Sequence, residues 1–448
     1  MSPSARREHE VIVVGGGVAG MAAAWTMRDR DVLLVEASDH LGGRLKSCAR
    51  DPYWLNLGGH LFPGVESAVG ELINDLGLRT IKIPGSTFGV VWDGKVYSRS
   101  RVELYPLTLP MSLRERLAFA TTGLRILRAV RAWKRAQGPD QPGSLSGRGR
   151  ADSFRTVLGR PPGRVAQLFE TAARRASTEL DDQSAATAGQ LFTGVWAGKN
   201  SSLALNLAGG SGRLGQAFAD RMSGSFALGC EALSVEADDA SFVLTLRRAD
   251  VIERVRTRAV VLATPAAAAA RIAEPLPAQV RDCLTAIPYG AFVSMAVLTS
   301  ETLGSDFDGM YAVTTPGCSF DMLFNHANPL RGESPRRPGG SLMVYAGGER
   351  ARELLGASDD DIAATFLTDI VRILPHLQGR IAETQVQRWP VGLSYRRPSS
   401  ELGPLRDYVA GEQRLQLCGD YFGDLGNMEI AAGSGVRAAQ RVLAGLAT

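Results

Sequence analysis

The chain has 448 residues, with 50 lysines and arginines against 46 aspartates and glutamates, a net charge of +4. That length exceeds what one hydrophobic core supports, so two domains are expected, and 45% hydrophobic with 21% charged residues excludes a disordered chain, a fibre and a polytopic membrane protein. So small a charge excess gives no ground for a nucleic-acid partner.

The opening stretch, MSPSARREHE, contains two arginines but no apolar h-region, so no secretory leader is predicted. No uninterrupted run of about 18 apolar residues follows, so no membrane-spanning helix is expected. The five cysteines (Cys48, Cys230, Cys283, Cys318, Cys418) lie far apart without metal-ligand spacing, which predicts reduced thiols, no metal site and a cytoplasmic setting.

The first element is the apolar run Val11–Val14, a strand, followed by Gly15-Gly16-Gly17-Val18-Ala19-Gly20 and an Ala-rich helix from Met21 to Met27. A second strand, Val32–Val35, ends in Glu36, twenty-one residues after Gly15. This is the spacing of a dinucleotide-binding βαβ unit. Gly15 allows the turn, Gly17 lets a pyrophosphate approach the backbone, and Gly20 lets the helix pack on the strand. Val18 and Ala19 place free N–H groups at the positive end of that helix. Glu36, with Ala37 beside it, is positioned to receive an adenosine ribose.

Beyond the second strand come Leu41-Gly42-Gly43-Arg44 and Asn56-Leu57-Gly58-Gly59-His60. With the glycine loop they resemble the start of the flavin amine oxidase, protoporphyrinogen oxidase and phytoene desaturase superfamily. Two later stretches are similar to the same superfamily. One is Gly209-Gly210-Ser211-Gly212-Arg213-Leu214 with a helix through Met222, strands to Arg247 and Val260-Val261-Leu262-Ala263-Thr264-Pro265. The other is Leu417-Cys418-Gly419-Asp420, Asn427-Met428-Glu429 and Gly433-Ser434-Gly435.

The resemblance implies an α/β fold: a Rossmann-like FAD-binding domain of the two-dinucleotide-binding-motif type and a second, α+β substrate-binding domain. The FAD domain is expected over 8–75, 200–275 and 405–448, and the substrate domain over 76–199 and 276–404. Gly43 and Arg44 are implied at the FAD phosphates, and Gly58 and Gly59 near the flavin. Ala232, Thr264, Gly419, Asp420 and Met428 complete the cofactor set. No cysteine lies between 319 and 417, where covalent members carry the flavin thioether, so FAD is expected to be noncovalent.

The segment Arg114 to Arg135 carries seven basic residues against Glu115, with leucines between them. Such a helix can lie on anionic lipid, but a lid of the substrate domain with a solvated basic face is the favoured reading. Gly138–Gly143 and Gly332–Gly340 read as exposed loops.

Departures from the superfamily bear on the chemistry. Many of its amine oxidases hold a water near the flavin with a lysine; Ser294, in Ile287-Pro288-Tyr289-Gly290-Ala291-Phe292-Val293-Ser294, takes that place. The chain has only five lysines (Lys46, Lys82, Lys95, Lys134, Lys199). Asn427 replaces one of two substrate-framing aromatics and could orient a polar group, while Trp389 and Tyr395 could supply the other wall. His60 and His326 are candidate acid–base residues.

The reading is an FAD-dependent oxidoreductase that removes a hydride from a C–N or C–C bond of a mostly apolar small molecule, with oxygen or another acceptor reoxidising the flavin. An amine oxidase without the usual lysine and a redox-neutral flavin mutase or isomerase are the alternatives.

Overall fold

Every side chain of Val11–Val14 is buried, and the strand they belong to, Glu8–Val14, lies at the centre of a sheet. In the computed structural model, which describes residues 8–84, 88–99, 104–136, 151–193, 203–222, 224–332 and 335–447, this strand pairs in parallel with Val32–Val35 on one side and Val251–Leu262 on the other. Phe226–Ala227 and Leu415–Leu417 extend the parallel part outward. The near half of Val251–Leu262 instead joins Ser241–Arg248 and Cys230–Asp238 in an antiparallel meander. Runs of β-branched and leucine side chains without alternation suit such strands, because both faces are covered.

The helix Val18–Thr26 packs so tightly on the first strand that a Cβ at Gly20 would stand 1.8 Å from the Gly15 carbonyl oxygen. Gly15 itself turns the chain with φ +108°, a backbone conformation that favours glycine. The last helix, Met428–Ala447, lies against the first, with Gly435 facing the Ala19 carbonyl. The strand–turn–helix–strand expectation for 11–36 therefore matches the structure, with the helix starting three residues earlier than Met21.

A second sheet runs in the order Ile381–Ser394, Tyr289–Thr299, Gly340–Gly347, Met322–Asn325, Ala312–Thr314, Phe88–Trp92, Lys95–Arg99. Alternation along its strands gives it two apolar faces. Val293, Met295, Val297, Leu342 and Val344 pack under Ile362, Phe366 and Ile370 of the helix Asp359–Ile373. Ala296, on the other face, packs against Leu55 and Leu57.

Residues 44–50 run along the edge strand Ile381–Ser394. Arg44 Nη1 donates to the Gly392 carbonyl (2.7 Å), Lys46 Nζ to Gln387 Oε1 (2.7 Å), and Arg50 pairs with Glu383 (2.6 Å). The basic segment forms the helix Leu113–Ala136, which buries Phe119, Ile126 and Val130 against Val165, Phe169 and Phe192. Of the two loops, Gly138–Gly143 falls outside the described residues. In the other, residues 333–334 fall outside the described residues, while Arg336, with Arg331 just before the segment, binds Asp308 and Glu301. No helix of the described residues is long and apolar enough to cross a membrane.

Candidate active site

The glycine turn presents an open cradle. The helix Val18–Thr26 begins at Gly17 with no side-chain cap, and a Cβ on Gly17 would meet no atom within 4 Å. Thr264 Oγ1, next to Gly15, is buried without a hydrogen-bond partner. An uncapped helix N-terminus, open space before it and an orphaned hydroxyl fit a bound pyrophosphate. At the far end of the second strand Glu36 accepts bonds from Gly16 N (2.6 Å), Ser38 N (2.8 Å) and Ser38 Oγ (2.7 Å), so it holds the turn's shape. Cys230 N donates to the Glu36 carbonyl, and a register shift between Ala232 and Ser234 interrupts the adjoining ladder. Glu36, Ala37 and Ala232 thus share one end of the sheet, with Ala232 beside the bulge. These residues fit the dinucleotide that the motif implies.

Arg44 and Asp420 meet. Arg44 Nη1 is 2.8 Å from Asp420 Oδ2, and Ser394 N also donates to that oxygen. Burial alone would raise the Asp420 carboxyl, but the Arg44 charge and the hydrogen bonds hold it below the usual range. Gly59 N donates to the Arg44 carbonyl (3.0 Å), and Met428 lies against Gly59. Gly419 N bonds Ser434 Oγ on the last helix. Asn427 Oδ1 accepts from Ile430 N (2.9 Å), so it caps that helix and leaves its amide nitrogen as the group able to face a ligand.

Ser294 and Trp389 converge on one atom. Ser294 Oγ (2.6 Å) and Trp389 Nε1 (2.8 Å) both donate to the Leu57 carbonyl, immediately before Gly58 and Gly59. Opposite Ser294 in the ladder is Gln387, the acceptor for Lys46, so a lysine does reach this region from another element. Tyr395 is buried in a small cluster with Ala176 and Leu425, apart from that convergence.

His60 and His326 come together edge to face with ring centroids 4.6 Å apart. His60 Nδ1 lies 3.1 Å from the Gly58 carbonyl, which only accepts, so the proton is on Nδ1 and Nε2 presents a bare lone pair. His60 Nε2 and both His326 nitrogens are buried without partners. Burial lowers His60 to about 4, against the Gly58 bond, and lowers His326 too, so both rings are neutral at pH 7.

Around the pair stand residues that sequence reasoning missed. Phe324 touches His60, Tyr345 stacks on Phe324, Phe292 meets Tyr345, and Tyr311 bonds Asn206, whose amide also reaches the His60 carbonyl. Their signal was available only in part, as the alternation of Phe292 with Ser294 and of Met343 with Tyr345 on one sheet face.

The family described as flavin containing amine oxidoreductase matches residues 18–443, and the chain belongs to it. It is 36% identical over 124 residues to coproporphyrinogen III oxidase of Propionibacterium freudenreichii subsp. freudenreichii, covering 27% of this chain and 23% of that one. It is 38% identical over 77 residues to amine oxidase [flavin-containing] B of Canis lupus familiaris, covering 16% and 15%. The chain therefore matches less than a quarter of the length of these curated relatives. Cyclohexylamine oxidase from Brevibacterium oxydans IH-35A has a similar structure over 98% of this chain and 100% of its own, with TM-score 0.78 and 18% identity. The fold is that of the flavin amine oxidases, a Rossmann-type FAD-binding part with a substrate-binding part.

Proposed function

We propose that the protein is an oxidoreductase with noncovalent FAD that removes a hydride from a C–N or C–C bond of a mostly apolar small molecule. Segments 8–75, 200–275 and 405–448 hold the cofactor, and 76–199 with 276–404 supply the substrate side. Bound FAD supplies a ring that accepts a hydride at N5. The pyrophosphate lies at Gly17, Val18 and Ala19, the ribose at Glu36, and Arg44, held by Asp420, faces the phosphates.

The observation that carries the substrate class is the neutral, aromatic wall around His60 and His326. Phe292, Tyr345, Phe324 and Tyr311 exclude water, while the two imidazoles offer one N–H and two lone pairs. A base as weak as His60 orients a hydroxyl, amide or neutral nitrogen at Nε2 and does not hold a proton at pH 7. The carboxylates of this region are committed, Asp420 to Arg44, Asp321 to Arg174 and Glu429 to the Ala68 and Val69 amides. That arrangement favours a neutral substrate over a cationic one. Ser294 and Trp389 spend their donors on Leu57, so they position the Gly58–Gly59 turn.

The test begins with the visible spectrum of the purified protein before and after acid precipitation, where flavin released to the supernatant is expected. Anaerobic mixing then separates the readings. Bleaching by a porphyrinogen or polyene is expected; bleaching by amines alone gives an amine oxidase without the usual lysine. Turnover only of the prereduced protein, without net electron transfer, gives the redox-neutral enzyme.

A further inference from the structure

The helix Leu113–Ala136 is amphipathic in a way that its sequence leaves open. Its inward face carries Phe119, Thr122, Ile126 and Val130. Trp133 also turns inward and donates to Asp424. The outward stripe, at spacings of three and four residues, reads Leu113, Leu117, Ala120, Leu124, Arg128, Arg131, Arg135. Leu113 is 80% exposed, Leu117 68% and Leu124 54%, and Leu107, on the turn just before the helix, is 72% exposed. These leucines are among the most exposed large apolar side chains of the described residues.

The charges sort by face as well. Glu115, the helix's one acid, is bound by Arg164 and by the Ser112 amide and hydroxyl. Arg116 and Arg125 turn back onto main-chain carbonyls of Met111 and Leu158. Arg114, Arg128, Arg131, Lys134 and Arg135 are exposed and form no ion pair among the described residues. Beside the basic end lies an open groove of about 410 Å³ lined by Arg125, Arg128, Ala129, Ala132, Thr156 and Val157.

We propose that this helix is a docking surface for an anionic lipid bilayer, tilted against the membrane with its leucine end inserted among the acyl chains and its arginine end at the headgroups. A row of bare leucines continuous with unpaired arginines matches the two layers of a bilayer surface, apolar below and anionic above. A second copy of this chain fits less well, because a parallel pairing of two such stripes would bring unpaired arginines against each other and an antiparallel one would set them against bare leucines. The inference stands apart from the reading of the active site, and it replaces the solvated lid as the account of this segment.

The experiment is cosedimentation of the whole protein with vesicles of phosphatidylcholine alone and of phosphatidylcholine mixed with phosphatidylglycerol. Binding to the mixed vesicles, weakened by added salt, is expected, with little to phosphatidylcholine alone. Arg128→Ser, Arg131→Ser and Arg135→Ser each lower the partition coefficient about fivefold. The double variant Leu117→Ser, Leu124→Ser loses binding while keeping the wild-type melting curve, since both side chains are exposed. Wild-type protein left in the supernatant with the mixed vesicles overturns the proposal. So does equal binding by the leucine variant, or a dimer in sedimentation velocity that the leucine variant dissolves.

Discussion

Arg44 Nη1 and Asp420 Oδ2 stand 2.8 Å apart, joining the loop after the second strand to the turn before the last helix. The Asp420 side chain is 4% exposed and that of Arg44 37%, so the carboxylate depends on a cation that solvent partly shares.

Asp420→Asn should therefore cost about 2–3 kcal/mol, below the usual loss for a fully buried pair because Arg44 keeps some hydration. Urea unfolding at neutral pH measures it. The folded-state pKa of Asp420 is lowered, so its contribution is present above the unfolded value and is lost as pH falls through the folded one. The gap between wild type and variant should narrow on acidification; a constant gap contradicts the pairing.

His60 works in the same direction for a different reason. Its folded value of about 4 lies below the ordinary 6.5, so between these values the unfolded chain binds more protons than the folded one. Stability is highest above pH 6.5 and declines as pH falls toward 4. Melting temperatures of wild type and His60→Phe across that range check this, and the variant should show a flatter profile.

Gly17 and Gly20 separate folding from cofactor retention. Gly17→Ala adds a methyl where no protein atom stands, so the fold should change by less than about 0.5 kcal/mol while flavin is lost. Gly20→Ala drives a methyl into the Gly15 carbonyl and should destabilise the chain itself by about 1–3 kcal/mol or more. Flavin absorbance per protein and thermal melting, read together, distinguish the two. A Gly17→Ala protein with full flavin would displace the pyrophosphate from the cradle.

Ser294→Ala and Trp389→Phe each remove one donor from the Leu57 carbonyl, and each should cost about 1 kcal/mol. Because either donor alone still satisfies that oxygen, the double variant should cost more than the sum of the single ones. Strict additivity in a double-mutant cycle would show that the shared acceptor does not couple them.

The strand–turn–helix–strand unit around the glycines is legible in the sequence because its constraints are local. Gly15, Gly17 and Gly20 follow from one turn of backbone, and Glu36 from the length of one βαβ unit. The substrate side is legible only in pieces. His60 and His326 are each visible as candidates, but their contact depends on how the strand Met322–Asn325 lies against the turn after Gly59. The wall of Phe292, Tyr345 and Phe324 depends on register across three strands. Asn427 reads as a substrate-facing residue in a motif, whereas its oxygen caps a helix. The fate of Leu113, Leu117 and Leu124 was likewise hidden, since periodicity identifies a stripe without saying which stripe is covered.

The contact of Gly435 with Ala19 has a consequence for the order of events during synthesis. The strand Glu8–Val14 and the helix Val18–Thr26 are made well before their neighbours Val251–Leu262, Leu415–Leu417 and the helix Met428–Ala447. Until then this apolar strand and helix lack many of the partners they bury against and are open to aggregation or chaperone capture. The glycine turn is therefore translated well before the elements that close around it, so removal of the helix Met428–Ala447 should abolish flavin loading.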